Sequence, residues 1–269
     1  MSAEGSVSAT GITVHSGLQA HVTLTRREGP LAFRRAGTDI LARVVNVVST
    51  DRTTVLGTNG ARVGMVEHLL AALRLGGFYS GVLIETDSDE LPILDGSAGP
   101  WCDLLPALGE PPTAPEPLRP AEAVEVRHAE SRGRVEPGEE SLDCSIDFAH
   151  PAIGSQRWRG TPDDYAALSA ARTFGLLSEA ESLRGRGLGL GAGIDHAIVF
   201  ADEGPIRPLR FPDEPVRHKA LDALGDLALL GRPLAARVII ERGSHTLHNL
   251  LMRALLGSTE SGDMAGSRL

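Results

Sequence analysis

The sequence predicts an α/β fold, an α+β two-layer sandwich built as two similar domains. Three observations carry that expectation. A plan of strands, a helix with a histidine near its start, a glycine stop and an apolar strand occurs twice, once around His68 and once around His218. The segment 109–120, GEPPTAPEPLRP, has prolines at 111, 112, 115, 117 and 120 and can continue neither a helix nor a central strand. A length of 269 residues with 42% hydrophobic content suffices for two cores of ordinary size. The expected first domain is 1–110, the linker 109–120, the second domain 121–257, and the stretch 258–269, STESGDMAGSRL, a frayed tail.

In chain order, HVTLT and AFRRA alternate as strands, and VEHLLAALRLGG (66–77) has apolar residues at helical spacing before a Gly pair that stops it. GVLIETD then reads as a strand. After the linker, AVEVRH and LDCSIDF alternate as strands, and TPDDYAALSAAR reads as a helix opened by a Thr cap and a proline in its first turn. PVRHKALDALGDLALLG (215–231) is the strongest helix, AARVIIE a strand, and a last helix runs from Ser244 to about Leu256. Within GLGLGAG, Gly187, Gly189 and Ala192 fit G-x-G-x-x-A, but a strand follows where a dinucleotide fingerprint needs a helix, so that reading is set aside.

The net charge of -9 excludes a broadly basic surface for non-specific nucleic-acid binding. The first fifteen residues lack a basic start and apolar core, and no apolar run approaches the roughly 20 residues of a membrane span, so a cytoplasmic protein is expected. Only Cys102 and Cys144 are present, which leaves any metal to histidines and carboxylates. Lys219 is the sole lysine among 26 basic residues. A compact ammonium kept in an arginine-rich chain hints at a role a planar guanidinium cannot fill; survival of one surface lysine by chance is the alternative.

His218 and Asp222 lie four apart on the strongest helix and so leave one face about a turn from each other, with Asp226 another four residues on. That is metal-ligand spacing, although a solvated polar face would show it too. Leu221, Leu224 and Leu227 supply an opposite core face. His68 could provide a third ligand and Glu67 a base for water, since catalytic metal sites commonly use three protein ligands and keep one open position. A capped surface pair is the other reading of Glu67 and His68. His245, in RGSHTLHN, opens another helix; beside a carboxylate such as Asp226 it could stay protonated and act as a general acid, or it could be structural.

The strings VEHLLAAL, LPILDGSAGPW, ARTFG and LRFPDEPVRHKALDALGDL resemble those of the UDP-3-O-acyl-N-acetylglucosamine deacetylases (LpxC), zinc enzymes of early lipid A synthesis, from about Ala9 to Gly257. The resemblance implies two similar α/β halves packed around a zinc site, and a monomer acting on an acylated UDP-sugar. It implies Zn²⁺ on His68, His218 and Asp222, with Fe²⁺ an alternative occupant in the cell. Glu67 would be the general base, and His245 the general acid oriented by Asp226. Thr173 would hold the oxyanion, Phe174 line the sugar site, and Lys219 with Arg242 meet substrate charge. The chain departs from the family pattern at Thr13 and Val14, in GITVHSG, and at Gly193 and His196, in LGAGIDHAIV, the latter in a segment tied to the acyl passage. A diverged deacetylase of another N-acetyl sugar nucleotide or glycoconjugate is therefore a second expectation. A catalytically silent metal-holding protein, a third, would be expected to lose Glu67, His245 or Thr173, and all three are present.

Overall fold

The computed structural model describes residues 5–266, with side chains through Ser258. In the first half, strands β1 (Ser6–Ile12) and β2 (Gln19–Pro30) form one antiparallel hairpin, and β3 (Ala32–Arg35) with β4 (Thr38–Leu41) another. A small sheet follows, of β5 (Val47–Ser49), β6 (Val55–Thr58) and β7 (Ala61–Val63), then helix α1 (Glu67–Leu75) and strand β8 (Ser80–Thr86). Strand β8 inserts between the hairpins, antiparallel to β2 and parallel to β3, and helix α2 (Gly99–Leu104) closes the unit.

The second half repeats this topology. Strands β9 (Val124–His128) and β10 (Ser131–Pro137) form a hairpin, as do β11 (Ser141–Asp147) and β12 (Ser155–Gly160). After helices α3 (Pro162–Tyr165) and α4 (Ala180–Gly185) come the insertion strands β13 (Phe174–Leu176), β14 (Ile198–Ala201) and β15 (Gly204–Pro205), then helix α5 (Glu214–Leu227). Strand β16 (Ala236–Glu241) inserts antiparallel to β10 and parallel to β11, and helix α6 (His245–Gly266) completes the unit. Hairpin, hairpin, small insertion, helix, central strand and closing helix therefore recur in the same order. Both five-stranded sheets carry one parallel neighbour pair in the same place, so the duplicated plan legible in the sequence extends to strand order. Segment 109–120 enters neither sheet, with Leu118 bridging Leu234.

The two units meet through α1 and α5. Helix α1 is buried from Glu67 to Arg74, its polar Glu67, His68 and Arg74 included. Leu69, Leu70 and Leu73 pack in the shared core with Leu221 and Leu224 of α5, each such side chain contributing about 1.5–3 kcal/mol through burial. The close approach requires Gly225, because a Cβ there would meet the carbonyl oxygen of Glu67. That contact sets the start of α1 against the last turn of α5 and turns their polar residues toward one another.

Three element boundaries differ from expectation. The helix expected over TPDDYAALSAAR has its capping box at Thr161 and Asp164 but passes through a 3₁₀ turn at Ala166–Leu168 and stops. The carbonyls of Ala170 and Ala171 are instead used by Arg210 and His218. Helix α5 gives way to a 3₁₀ turn at Ala228–Leu230, ended by Gly231 at φ 72°. Helix α6 starts at His245, capped by Ser244, and runs past Leu256 to Gly266 with no proline to interrupt it. Residues 267–269 of the expected tail lie outside the described residues.

Candidate active site

Helices α1 and α5 bring His68, His218 and Asp222 together, buried at 3% exposure each, so the solvated-face alternative does not describe them. The donor atoms of the three lie within 4.8 Å of one another. Asp222 Oδ1 is 3.3 Å from His218 Nε2 and 3.7 Å from His68 Nε2. His218 donates from Nδ1 to the Ala171 carbonyl at 3.1 Å, which fixes the tautomer and leaves Nε2 as a lone-pair donor. Burial pushes its pKa down to about 4, only partly offset by Asp222, so the ring is neutral. Two imidazoles and a carboxylate converging in a buried recess fit a divalent cation that accepts nitrogen and oxygen ligands. His68 Nδ1 has no hydrogen-bond partner, a cost that a bound cation on the ring's other nitrogen would help offset.

Glu67 is 2% exposed and held on two sides. Thr53 Oγ1 donates to its carboxylate at 2.8 Å, and the Thr54 backbone N–H at 3.1 Å. Burial raises its pKa, against the pull of His245 and His68. His245 stands opposite, its Nε2 3.5 Å from Glu67 Oε1 and its Nδ1 2.8 Å from Asp226 Oδ2. Burial would lower the pKa of this imidazole, but Asp226 and Glu67 outweigh it and push it up to about 9. Burial likewise pulls Asp226 upward, and His245 with the hydrogen bonds from His245 and His248 brings it well below the carboxylate range. A protonated imidazole and the Glu67 carboxyl thus face the same recess.

The remaining wall comes from the second insertion. Arg172 grips the fully buried Glu214 through Nε at 2.9 Å and Nη2 at 3.1 Å, fixing the chain just before Thr173. The Thr173 N–H donates to Gly96 O at 2.7 Å, and its own carbonyl accepts from Ile198 N–H at 2.8 Å. Phe174 stacks edge-on to Phe148 at 5.3 Å and to His218 at 6.3 Å. Thr173, Phe174, Lys219, Glu67, His68, His218, Asp222 and His245 all line one cavity of about 760 Å³. Lys219 donates to Asp222 Oδ2 at 2.7 Å; that carboxylate, against the cost of burial, raises its pKa and keeps it cationic.

Asp226 lies behind His245 and not on the cavity wall. Arg242 is also outside the lining, its guanidinium held by Asp147 at 2.8 Å and Glu130 at 3.4 Å.

A family model for UDP-3-O-acyl N-acetylglycosamine deacetylase matches residues 2–257. The chain belongs to that family. It is 40% identical to the UDP-3-O-acyl-N-acetylglucosamine deacetylase of Wolinella succinogenes, over 95% of this chain and 89% of the relative. It is 38% identical to that of Myxococcus xanthus, over 97% and 87%, and 40% identical to that of Thermosynechococcus vestitus, over 93% and 92%.

The departures from the deacetylase family's pattern sit quietly in the fold. Thr13 is fully buried, and its hydroxyl pairs with Ser16 at 2.6 Å and accepts from the Leu18 N–H at 3.0 Å; Val14 joins the core. His196 donates from Nδ1 to Leu94 O at 2.7 Å, a structural contact. Gly193 and Val14 line a second, mainly apolar cavity of about 320 Å³, which shares Thr173 and Phe174 with the first. Sequence reasoning missed Thr53, Thr54, Phe148 and His248. Thr53 and Thr54 lie outside helices and carry no periodic signal, while Phe148 stands at the end of the alternating run LDCSIDF; His248 was legible as the second histidine of HTLH, one turn after His245. Among the described residues no helix is long and apolar enough to cross a membrane.

Proposed function

We propose that this chain hydrolyses the N-acetyl group of a UDP-3-O-acyl-N-acetylglucosamine to acetate and a free amine, a step of lipid A biosynthesis, with Zn²⁺ on His68, His218 and Asp222. The observation that carries the reading is the buried three-ligand cluster facing both Glu67 and the His245–Asp226 pair. When bound there, a zinc ion supplies Lewis-acid polarisation of the acetamide carbonyl and acidifies water. Glu67, its pKa raised by burial, takes the proton of the attacking water as oxygen bonds to the carbonyl carbon. The Thr173 hydroxyl donates to the carbonyl oxygen as negative charge develops on it. His245, kept cationic by Asp226, gives its proton to the nitrogen as the C–N bond breaks. One water is consumed and acetate leaves, the amine carries the hydrogen from His245, and the proton taken up by Glu67 returns the charge to His245 Nε2, 3.5 Å away.

The apolar cavity next to the reaction cavity supports an acylated substrate over an unacylated relative, because it offers a dry path for a hydrocarbon chain. Phe174 belongs to both cavities and would separate sugar from acyl chain. Acetate release from the 3-O-acylated and unacylated UDP-N-acetylglucosamine, measured side by side, should favour the acylated compound strongly in kcat/KM. Equal values would transfer the proposal to another N-acetyl sugar nucleotide. The chain is proposed to act as a monomer. The domain boundary is proposed at 109–120.

Lys219 is proposed to meet the negative charge of the bound substrate while steadying Asp222. Its side chain is 24% exposed and reaches the cavity, so one face is free for the substrate. Lys219→Ala is expected to lower kcat/KM by roughly 10–150-fold, the range for a charge-assisted hydrogen bond, and less if the site stays wet. Lys219→Arg should rescue only in part, because the planar fork does not fit where a compact charge sits. Kinetics at matched zinc occupancy check this, and an arginine variant equal to the parent would remove the special role. Arg242 is proposed to contribute charge at the rim, exchanging its carboxylate partners for the diphosphate.

A further inference from the structure

Asp226 serves two imidazoles. Its Oδ2 accepts from His245 Nδ1 at 2.8 Å and from His248 Nδ1 at 2.7 Å, while Oδ1 accepts from Thr54 Oγ1 at 2.6 Å. His245 and His248 lie three apart at the start of α6, so they leave one face of the helix, and their rings stand edge to face with centroids 6.2 Å apart. His248 is 2% exposed and does not line the catalytic cavity.

An ordinary core position would not favour this residue. Burying an imidazole is costly unless its nitrogens are used, and His248 Nε2 has no partner. The ring also demands space: a Cβ on Gly243 would come within 2.9 Å of that nitrogen, so the turn just before His245 is kept bare beside it. What His248 gains in return is the single bond to Asp226. With three donors on two oxygens, the carboxylate cannot swing about its χ2 axis. With Thr54 and His245 alone, Oδ2 would be free to follow the imidazole it is meant to hold.

We propose that His248 is a positioning residue of the deacetylation: by sharing Asp226 Oδ2 it fixes the carboxylate against His245 and loosens that carboxylate's hold on the His245 proton, so that the proton can pass to the leaving nitrogen. The inference rests on His245 being the proton donor. The groups acting on His245 are Asp226 and Asp222 of α5, Glu67 of α1 and His248 of α6. If His248 is neutral, its hydrogen bond draws off part of the Asp226 charge; if cationic, it repels the His245 proton. Its removal tightens the proton on His245 in both cases, and the alkaline limb of the rate profile moves up.

The test uses the zinc-loaded protein with His248→Leu, which removes the donor, and His248→Asn, which supplies a shorter amide donor. Values of kcat and KM are followed from about pH 6 to about pH 10, across the ordinary and raised imidazole ranges. His248→Leu should lose about 10-fold in kcat with KM within about two-fold, at unchanged zinc content, and its alkaline limb should rise by about half a unit or more. His248→Asn should recover most of the rate and return the limb toward the parent. A limb that stays in place or falls in His248→Leu overturns the proposal, whether or not the variant melts earlier. Should His248→Leu fail to fold, His248→Phe, which keeps a ring but has no donor for Asp226, decides on the same terms: a limb displaced upward with a loss of kcat supports the role, and an unmoved limb overturns it. His245→Ala separates the two levels. If it keeps the parental kcat, the proton-donor reading fails and the inference falls with it; if it is impaired while the His248 limb is unmoved, only the inference falls.

Discussion

Glu67→Gln is expected to retain its zinc and lose about 10²- to 10⁴-fold in kcat, the contribution typical of a positioned general base. The carboxamide has the shape of the carboxylate and can still accept from the Thr54 N–H, but it cannot take a proton. Thr53 keeps its bond from the Met65 N–H, so the loop over the site need not move. Metal should stay because Glu67 lies beside the three-ligand cluster and is not part of it. Acetate release and elemental analysis on the same preparation check both halves. A normal kcat would remove Glu67 from the chemistry, and loss of zinc would make it a ligand.

Replacing His68 and His218 together with alanine should take the metal content from one per chain to none and acetate release to background. His68 comes from the first unit and His218 from the second, so the double variant leaves Asp222 as the sole remaining member of the cluster, already engaged by Lys219 at 2.7 Å. A single carboxylate balanced by an ammonium offers little to a divalent cation. The double variant loses the edge-to-face contact of the two rings at 5.0 Å but keeps the leucine packing between α1 and α5, so the fold should survive with a wet recess in place of the site. Stoichiometric zinc in the double variant would defeat the assignment.

Much of this was legible in the sequence because helices report their own geometry. His218, Asp222 and Asp226 share a face by spacing alone, and the repeated strand, helix and glycine plan foretold a duplicated topology. That His68 meets them depends on Gly225, whose missing side chain admits the backbone of α1; a glycine near the end of a helix gives no sign of which neighbour it admits. Thr53 and Thr54 sit in a loop, where a residue's partner is set by the chain that folds beneath it. The helix over TPDDYAALSAAR ended early, after a 3₁₀ turn at Ala166–Leu168, and the carbonyls of Ala170 and Ala171 beyond it accept from Arg210 and His218, partners that local propensity does not report. Arg242 seemed free to meet a diphosphate, yet Asp147 and Glu130, distant in sequence, already hold it.

The most direct test of the central claim is a metal titration of the chelated, metal-free protein, read as acetate released from the 3-O-acylated UDP-N-acetylglucosamine. Activity should be absent at the start, rise linearly with added zinc and level off at one equivalent per chain, while the His68→Ala, His218→Ala variant stays at background throughout. Full acetate release by protein that elemental analysis finds free of metal, or recovery of the double variant on adding zinc, would contradict it.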